Sequence, residues 1–588
     1  NKCKYITMST IKINQLATSS VELTDLIITA DAAGVATKNT VQDLADVINA
    51  SSTFLNIEDY GAVADNLGDS GVNSTVAFTD AIDDLIALGG GKLYIPFTDG
   101  KRFNITVAQD APIDYSNITI FGGGRVFVQS NANSSRGQFI TMAANVENFT
   151  IDGIDILVSS NCSRSNFQRG IIGSEVGGHK NINIINCLLK NEVKADNTIG
   201  VDGITFYKDV TDLTDTDTIE HLTVKGCDID LYGKAIYGIQ LLRKTLYCNI
   251  ESNTVTLQAW QDVNNQSYNA IAMYGDGELF SIRNNTVLGS GHSGIACSMC
   301  ANGVVDGNFV YNTTNPAECG IEVEYKLSHG SPTFQTENIQ VVNNYVSNCT
   351  YGIWVAERGP SATTIAPRNI NIQGNTVEDC LTNGIFVSQG TGGAVNYTTR
   401  IKNVSVKDNI VRGGSGVSNT AGIGLYDGED CEISGNSVIG NTQYGVRIGR
   451  NSTIFPAGYL KVSDNLVLDA WGHGIYQESG EAHVIYDSNI VENCGTHGIY
   501  YSFPNNTTAK ITCTNNIVKN VERGIRFAGF SANNGSVIIG NQVYDTSNKS
   551  YECAILDGIG DNNMATNCVG AFDLTASGST VLGSNFNF

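Results

Sequence analysis

The chain has 588 residues, too many for one compact core of ordinary size, so it is either several domains or a repeat that grows along one axis. Gly is frequent at 63 residues, Pro is scarce at 8 and only 16% of residues are charged, the balance of many short strands joined by turns. The net charge of −23 excludes a nucleic-acid binder, which needs a basic face, and no apolar run reaches the roughly 18 residues of a membrane span.

In chain order, Asn1–Thr7 precede Met8-Ser9-Thr10, which reads as a natural start, so the first seven residues are set aside as upstream sequence. The start lacks the charged-then-apolar pattern of a signal peptide, and synthesis in a cytoplasm is expected. Residues 1–53 hold this extension and a small module. Within it, Leu26-Ile27-Ile28 predicts a short strand. Thr40 caps a helix with Asp43 at its third position, and Val41, Leu44 and Ile48 share one face. So small an apolar set needs a partner or an oligomer.

Residues 54–110 form a second zone. Asp59-Tyr60-Gly61-Ala62 leads to a helix over Thr75–Leu88, capped by Asn73 or Ser74. Its apolar side is Val76, Phe78, Ala81, Ile82, Leu85 and Ile86, and Gly89-Gly90-Gly91 ends it. Lys92-Leu93-Tyr94-Ile95-Pro96 is the first long strand.

Residues 111–588 repeat. Asn-x-Val segments such as Asn253-Thr254-Val255, Asn375-Thr376-Val377 and Asn436-Ser437-Val438 recur, with further copies at Asn308, Asn344, Asn409, Asn465, Asn489, Asn516 and Asn541. From Asn285 to Asn516 each is followed by a Gly-Ile or Gly-Val strand, at Gly294, Gly320, Gly352, Gly384, Gly422, Gly445, Gly474, Gly498 and Gly524. One Asn and one Gly per coil is the signature of a solenoid, and stacked Asn side chains can bond one another along its axis. The reading is an all-β right-handed parallel β-helix. Cys349, Cys380 and Cys494 each stand five residues after their Asn and read as core fillers. The 15 cysteines cannot all pair within one chain, so free thiols are expected, and no set of four has the spacing of a zinc site.

The spacing separates scaffold from site. Asn to the next Gly is 8 to 13 residues, whereas Gly to the next Asn stretches to 24, 23 and 25 after Gly320, Gly352 and Gly384. Three consecutive insertions are expected to build a wall beside one patch. On those strands alternation turns Glu322, Glu324, Trp354, Phe386, Ser388, Tyr426, Arg447, Tyr476 and Glu478 outward, with Glu357 and Asp427 one residue beyond at strand ends. Aromatic rings beside carboxylates and Arg suit sugar binding, and two carboxyl groups across a bond suit glycoside hydrolysis. Glu324 and Glu357 are the leading acid and base, with Glu322 or Asp427 assisting. Trp354, Phe386, Tyr426, Arg447, Tyr476 and Glu478 are the expected substrate-binding residues. Crowded acids should have at least one raised pKa. His473 and His497 read as turn residues. Calcium at Asp276 and Glu278, or at Asp427, Glu429 and Asp430, is weighed against solvated turns; no metal or cofactor is expected.

The Asp59-Tyr60-Gly61-Ala62 stretch, the helix and Gly89-Gly90-Gly91-Lys92-Leu93-Tyr94-Ile95-Pro96 resemble the opening segment of pectate-lyase-like β-helix proteins. Residues 9–50 resemble the virion-attachment module of some bacteriophage tail fibres and tailspikes. Together they resemble a bacteriophage tailspike. The resemblance implies a homotrimer on a phage tail, attached to a tail or baseplate adaptor protein through residues 8–53. It implies binding, and endo-glycosidic depolymerisation, of bacterial surface polysaccharide, with acids on adjacent coils or between subunits. A non-catalytic glycan receptor-binding spike and a polysaccharide lyase are the alternatives.

Overall fold

The Asn-x-Val and Gly-Ile signatures occur together because the two segments meet inside each coil. A Cβ added to Gly320 would lie 2.2 Å from Val346 Cγ1, and one added to Gly474 would lie 2.2 Å from Val491 Cγ1. Only glycine leaves room for the Val of the following Asn-x-Val segment.

The computed structural model describes a strand pair at residues 27–30 and 36–39. From residue 53 onward it describes all but a set of short stretches, among them 312–316, 327–333, 359–364 and 390–399. Ile27–Ala30 pairs antiparallel with Ala36–Asn39, in keeping with the strand expected at Leu26–Ile28. The helix expected at Thr40 lies outside the described residues, as does most of the expected wall of insertions.

The Asn column is a ladder. From Asn253 to Asn563 each side-chain Nδ2 donates to Oδ1 of the next Asn at 2.9–3.0 Å. The same Oδ1 accepts the backbone N–H of the preceding Asn, as Asn409 does from Asn375 at 2.9 Å. All twelve Asn are buried, so the ladder satisfies turn groups that water does not reach. The residue before each ladder Asn is left-handed: Asn343, Gly374, Asp408 and Gly435 have φ of 55, 67, 54 and 67°. Gly and the short polar side chains adopt this region at least cost, which explains the recurring Gly-Asn, Asn-Asn and Asp-Asn pairs.

Three columns of parallel strands result. The first contains β1 (Ile271–Glu278), β2 (Ser293–Asp306), β3 (Ala317–Tyr325), β4 (Cys349–Glu357), β5 (Asn383–Gln389), β6 (Ala421–Tyr426), β7 (Tyr444–Gly449), β8 (His473–Glu478), β9 (His497–Ser502) and β10 (Arg523–Ala528). Ile321, Ile353, Ile385, Ile423, Val446, Ile475, Ile499 and Ile525 align across β3–β10 and fill the interior at 0–2% exposure. Each such burial contributes about 1.5–3 kcal/mol. The second column includes Glu337–Val342, Arg368–Gln373, Ile401–Lys407, Gly428–Ser434 and Ala457–Ser463. The third holds the Asn-x-Val strands, such as Tyr345–Ser347, Thr376–Glu378 and Ile410–Arg412.

The opening segment is part of the same sheet, for Gly91–Ile95 pairs with both Phe54–Asn56 and Ile118–Gly122. Helix α1 (Thr75–Ala87) packs Ala77, Phe78, Ala81, Ile82 and Leu85 over the first coils. Val76 and Ile86 do not belong to that face; they are 69% and 39% exposed. Asn73 supplies the expected cap, its Oδ1 accepting Thr75 N–H at 2.9 Å, while Ser74 Oγ turns to Val63. Gly90 and Gly91 follow with φ of 133 and 143°, and a Cβ on Gly90 would lie 2.6 Å from Asn117.

Cys349, Cys380 and Cys494 are buried fillers as expected, their thiols donating to the carbonyls of Ser347, Glu378 and Glu492. Burial pushes the Cys349 and Cys494 thiols up to about 12. Cys297 and Cys300 stand in a Cys-x-x-Cys arrangement on β2, both buried and unpaired by a disulfide, and burial raises both thiols. A thiol held protonated in this way is inert.

Candidate functional site

Register decides which side chains share a face. One row across β3–β10 reads Glu322, Trp354, Phe386, Gly424, Arg447, Tyr476, Tyr500 and Arg526. A second row reads Ser298, Glu324, Ala356 and Ser388. Alternation thus placed Glu322, Glu324, Trp354, Phe386, Arg447 and Tyr476 on the expected side.

It did not place them in water. Glu322 and Trp354 are 0% exposed and Glu324 is 1% exposed, with Phe386 and Tyr426 also buried. Trp354, Phe386 and Tyr426 form a small apolar cluster of their own with Tyr351 and Cys319. Pointing away from the coil is therefore not the same as facing solvent, because further side chains close over these rows.

Two expected acids lie elsewhere. Glu357 aligns with Tyr325, not with Glu324, and is in phase with the interior Ile353 and Val355. It is buried, and the Tyr325 hydroxyl is pushed up by burial first and then by Glu357 and Asp276. Asp427 is a corner residue with φ of 57°, its N–H bonded to Gly449 O at 3.3 Å, and it is fully buried. Asp276 has the same left-handed conformation on its own coil. The structure brings Glu322 and Glu324 together and leaves Glu357 and Asp427 off that face. Both miss because alternation is reliable only inside a strand; at its end the chain turns.

Around Glu322 the structure assembles three groups that the sequence pattern did not single out as a site. Glu322 Oε1 lies 2.9 Å from Arg358 Nη2, and its Oε2 accepts from Ser293 Oγ at 2.7 Å and lies 3.7 Å from His292 Nδ1. Arg358 Nε is 3.5 Å from Glu324 Oε2, and the guanidinium stands 4.3 Å over the Trp354 ring. The only sequence signal for Arg358 was a cation directly after the acidic strand end. Burial, and then the neighbouring Glu324, push the Glu322 carboxyl up to about 7, with Arg358, His292 and Ser293 pulling against them. This agrees with the raised acid expected from crowding.

A pH-dependent stability follows. The folded chain holds the Glu322 proton more tightly than the unfolded chain, so stability is lost as pH rises from about 4.5 to about 7. The shift corresponds to about 3 kcal/mol. Melting curves at pH 5 and pH 8 should therefore differ less for Glu322→Gln than for the unsubstituted chain; an unchanged difference would remove the assignment.

Beyond this cluster the rings continue. Tyr351 stacks on Phe386 at 5.2 Å, Phe386 meets Tyr426 edge-on at 5.0 Å, and Arg447 stands 5.1 Å over Tyr426 and 4.8 Å over Tyr444. Gly424 gives Phe386 its room, since a Cβ there would lie 2.9 Å from the ring. Arg447 also pairs with Glu478 at 2.7 Å. Tyr444 then stacks on Tyr476 at 4.9 Å, and Tyr476 meets Tyr500 at 5.4 Å. His473 and His497, expected as turn residues, open β8 and β9 and stack on Tyr476 and Tyr500. Burial, aided for both by Arg526, pushes His473 down to about 4 and His497 down to about 3, so both are neutral at ordinary pH. Tyr351, Tyr476 and Tyr500 are half-buried, as is Arg447. The face thus passes from a buried acid cluster at β3 to a partly open aromatic strip at β7–β9.

Among the described residues no group of three or more His, Cys, Asp or Glu side chains converges to hold a metal ion. No described helix is long and apolar enough to cross a membrane.

A family model described as "Right handed beta helix region" matches residues 213–400. The chain is a right-handed parallel β-helix. A second family model, "Periplasmic copper-binding protein (NosD)", matches residues 326–493 and 389–585 of this β-helix. No curated protein matches the sequence. Among solved structures, gene product 12 of bacteriophage phi29 in pre-mature form is 16% identical over 90% of this chain and 66% of that chain, with a TM-score of 0.47. The tailspike protein of Escherichia coli bacteriophage HK620, solved with a pentasaccharide, is 11% identical over 92% and 84%, with a TM-score of 0.41. A mannuronan C-5 epimerase A-module from Azotobacter vinelandii is 13% identical over 74% and 94%, with a TM-score of 0.36.

Proposed function

We propose that the chain is a tailspike of the bacteriophage kind whose β3–β9 face binds an extended bacterial surface polysaccharide. The observation that carries this reading is the half-buried set Tyr351, Arg447, Tyr476 and Tyr500 along neighbouring coils, backed by the buried rings of Trp354, Phe386, Tyr426 and Tyr444. Rungs about 4.8 Å apart carry the strip over about 24 Å from β4 to β9, the dimension of several linked sugars. Sugar rings stack on aromatic faces, and Arg447 and Glu478 offer a donor and an acceptor to hydroxyl groups. In this reading the chain is a virion component made in the host cytoplasm. It assembles as a homotrimer and docks on a tail or baseplate adaptor protein through residues 8–53.

Cleavage is the finer part of the proposal. A carboxyl raised to about 7 is suited to protonate a leaving glycosidic oxygen, which makes Glu322 the general acid, with Glu324 two residues away on the same side. Glu357 and Asp427 support the coil corners around the site. A binder without cleavage is the second reading, favoured by the engagement of Glu322 with Ser293 and Arg358 inside the protein.

Arg447→Ala and Tyr476→Ala should each weaken binding of the isolated polysaccharide about fivefold, since a stacked ring or a cation over a ring contributes on the order of 1 kcal/mol. Calorimetric titration checks this, and unchanged affinity in both variants would sink the assignment of the strip. Mass analysis of the products separates the readings: hydrolysis leaves reducing ends, a lyase leaves unsaturated ends that absorb in the ultraviolet, and a binder leaves nothing.

A further inference from the structure

The third strand column presents a face of a different kind. Phe309, Tyr345, Ile410, Leu466, Ile490 and Ile517 lie in one row, in register through Thr376 and Ser437. Phe309 is 41% exposed and Ile490 42% exposed, and the other four are half-buried. Phe309 and Tyr345 stack at 4.9 Å with planes 6° apart, and the row is a largely apolar ridge interrupted by Thr376 and Ser437.

Charge marks the same face. Over the nine strands from Thr286–Leu288 to Ile517–Lys519 the outward positions carry four charges, Glu378, Arg412, Glu492 and Lys519, which cancel. They pair within the chain, Arg412 with Glu378 at 3.2 Å and Lys519 with Glu492 at 3.2 Å. The chain as a whole has a net charge of −23. The second column, by contrast, carries surface ion pairs such as Arg368–Glu337, Lys402–Glu429 and Lys461–Glu432, as a solvated face does.

We infer that the third column is the surface through which copies of this chain associate. Two copies approaching by their acidic surfaces repel; the strands of this face add no net charge to that repulsion. The ridge repeats at the rung spacing of about 4.8 Å, so it is complementary in period to the same ridge on another copy. A half-exposed, largely apolar strip of this length marks an interaction site. The inference rests on the tailspike reading only for the number of copies, three; the apolar ridge and its neutrality stand without it.

The test is the solution mass of the full chain by size exclusion with light scattering, alongside the double variant Ile410→Lys, Ile490→Lys. Ser405→Lys on the second column is the control. Both target side chains already touch solvent, so the coil should keep its β-sheet circular dichroism. The expected result is a multiple of the single-chain mass for the unsubstituted chain and the control, falling to one chain in the double variant. A single-chain mass for the unsubstituted protein, an unchanged mass in the double variant, or dispersal by the control would each overturn the inference. Should the double variant lose its β-sheet signal, dilution of the unsubstituted chain decides, with a mass that stays at one chain throughout being the contrary result. Polysaccharide binding measured on the same samples separates the two ideas: binding without association removes this face, and association without binding removes the glycan strip.

Discussion

Asn409→Ala should destabilise the coils around it by about 5 kcal/mol, several times the effect of an ordinary surface substitution. The side chain it removes sits mid-ladder and is fully buried. Its Oδ1 accepts both the N–H and the Nδ2 of Asn375, each at 2.9 Å, and its Nδ2 donates to Ile372 O and to Asn436 Oδ1, also at 2.9 Å. Alanine leaves two donors and a carbonyl without partners in a place water does not reach, and each orphaned buried group costs about 1–3 kcal/mol. A solenoid of this length need not unfold in one step, so hydrogen exchange is the better measure than a single melting point. Amides of the coils from Asn375 to Asn436 should lose protection in Asn409→Ala. Unchanged protection of those amides in Asn409→Ala would mean that the ladder is not a support of the coils.

Glu322→Gln should lower the release of oligosaccharides by 10²- to 10⁴-fold, the usual contribution of a general acid, while affinity for the intact polysaccharide stays within a few-fold. Glutamine keeps the shape and the bonds to Ser293 and Arg358 but cannot give up a proton. The raised carboxyl is half-protonated near neutrality, and the rate should fall as pH rises through about 7 and the acid form is lost. Glu357→Gln, in phase with Ile353 and Val355, should change melting behaviour more than turnover. Retained turnover in Glu322→Gln, with turnover lost in Glu357→Gln, would move the chemistry to the other acid and refute the placement argued above.

The fold was legible because its signals are local and repeated. An Asn that must bond its neighbour and a Gly that must admit a Val each recur once per coil, and no side chain outside the coil can alter that requirement. The site was legible only in part. Alternation put Glu322, Trp354, Arg447 and Tyr476 on the right side because they lie well inside their strands. It failed for Glu357 and Asp427, whose position depends on where the strand stops and on a left-handed corner, neither of which follows from a two-residue period. Exposure was not legible at all. Whether an outward residue meets water depends on what closes over it, and Arg358 reaches across from the end of β4 to hold Glu322, Glu324 and Trp354 together. His473 and His497 read as turn residues in the sequence for the same reason: only the register between coils reveals that they stack on Tyr476 and Tyr500.

The central claim is that the outward face of β3–β9 is a glycan-binding surface, and hydrogen-exchange mass spectrometry with isolated bacterial surface polysaccharides tests it most directly. For a polysaccharide that binds, the account predicts slowed exchange confined to β4–β9 and the segments flanking them, with the second and third columns unchanged. Slowed exchange on another column, with β4–β9 unaffected, would contradict it.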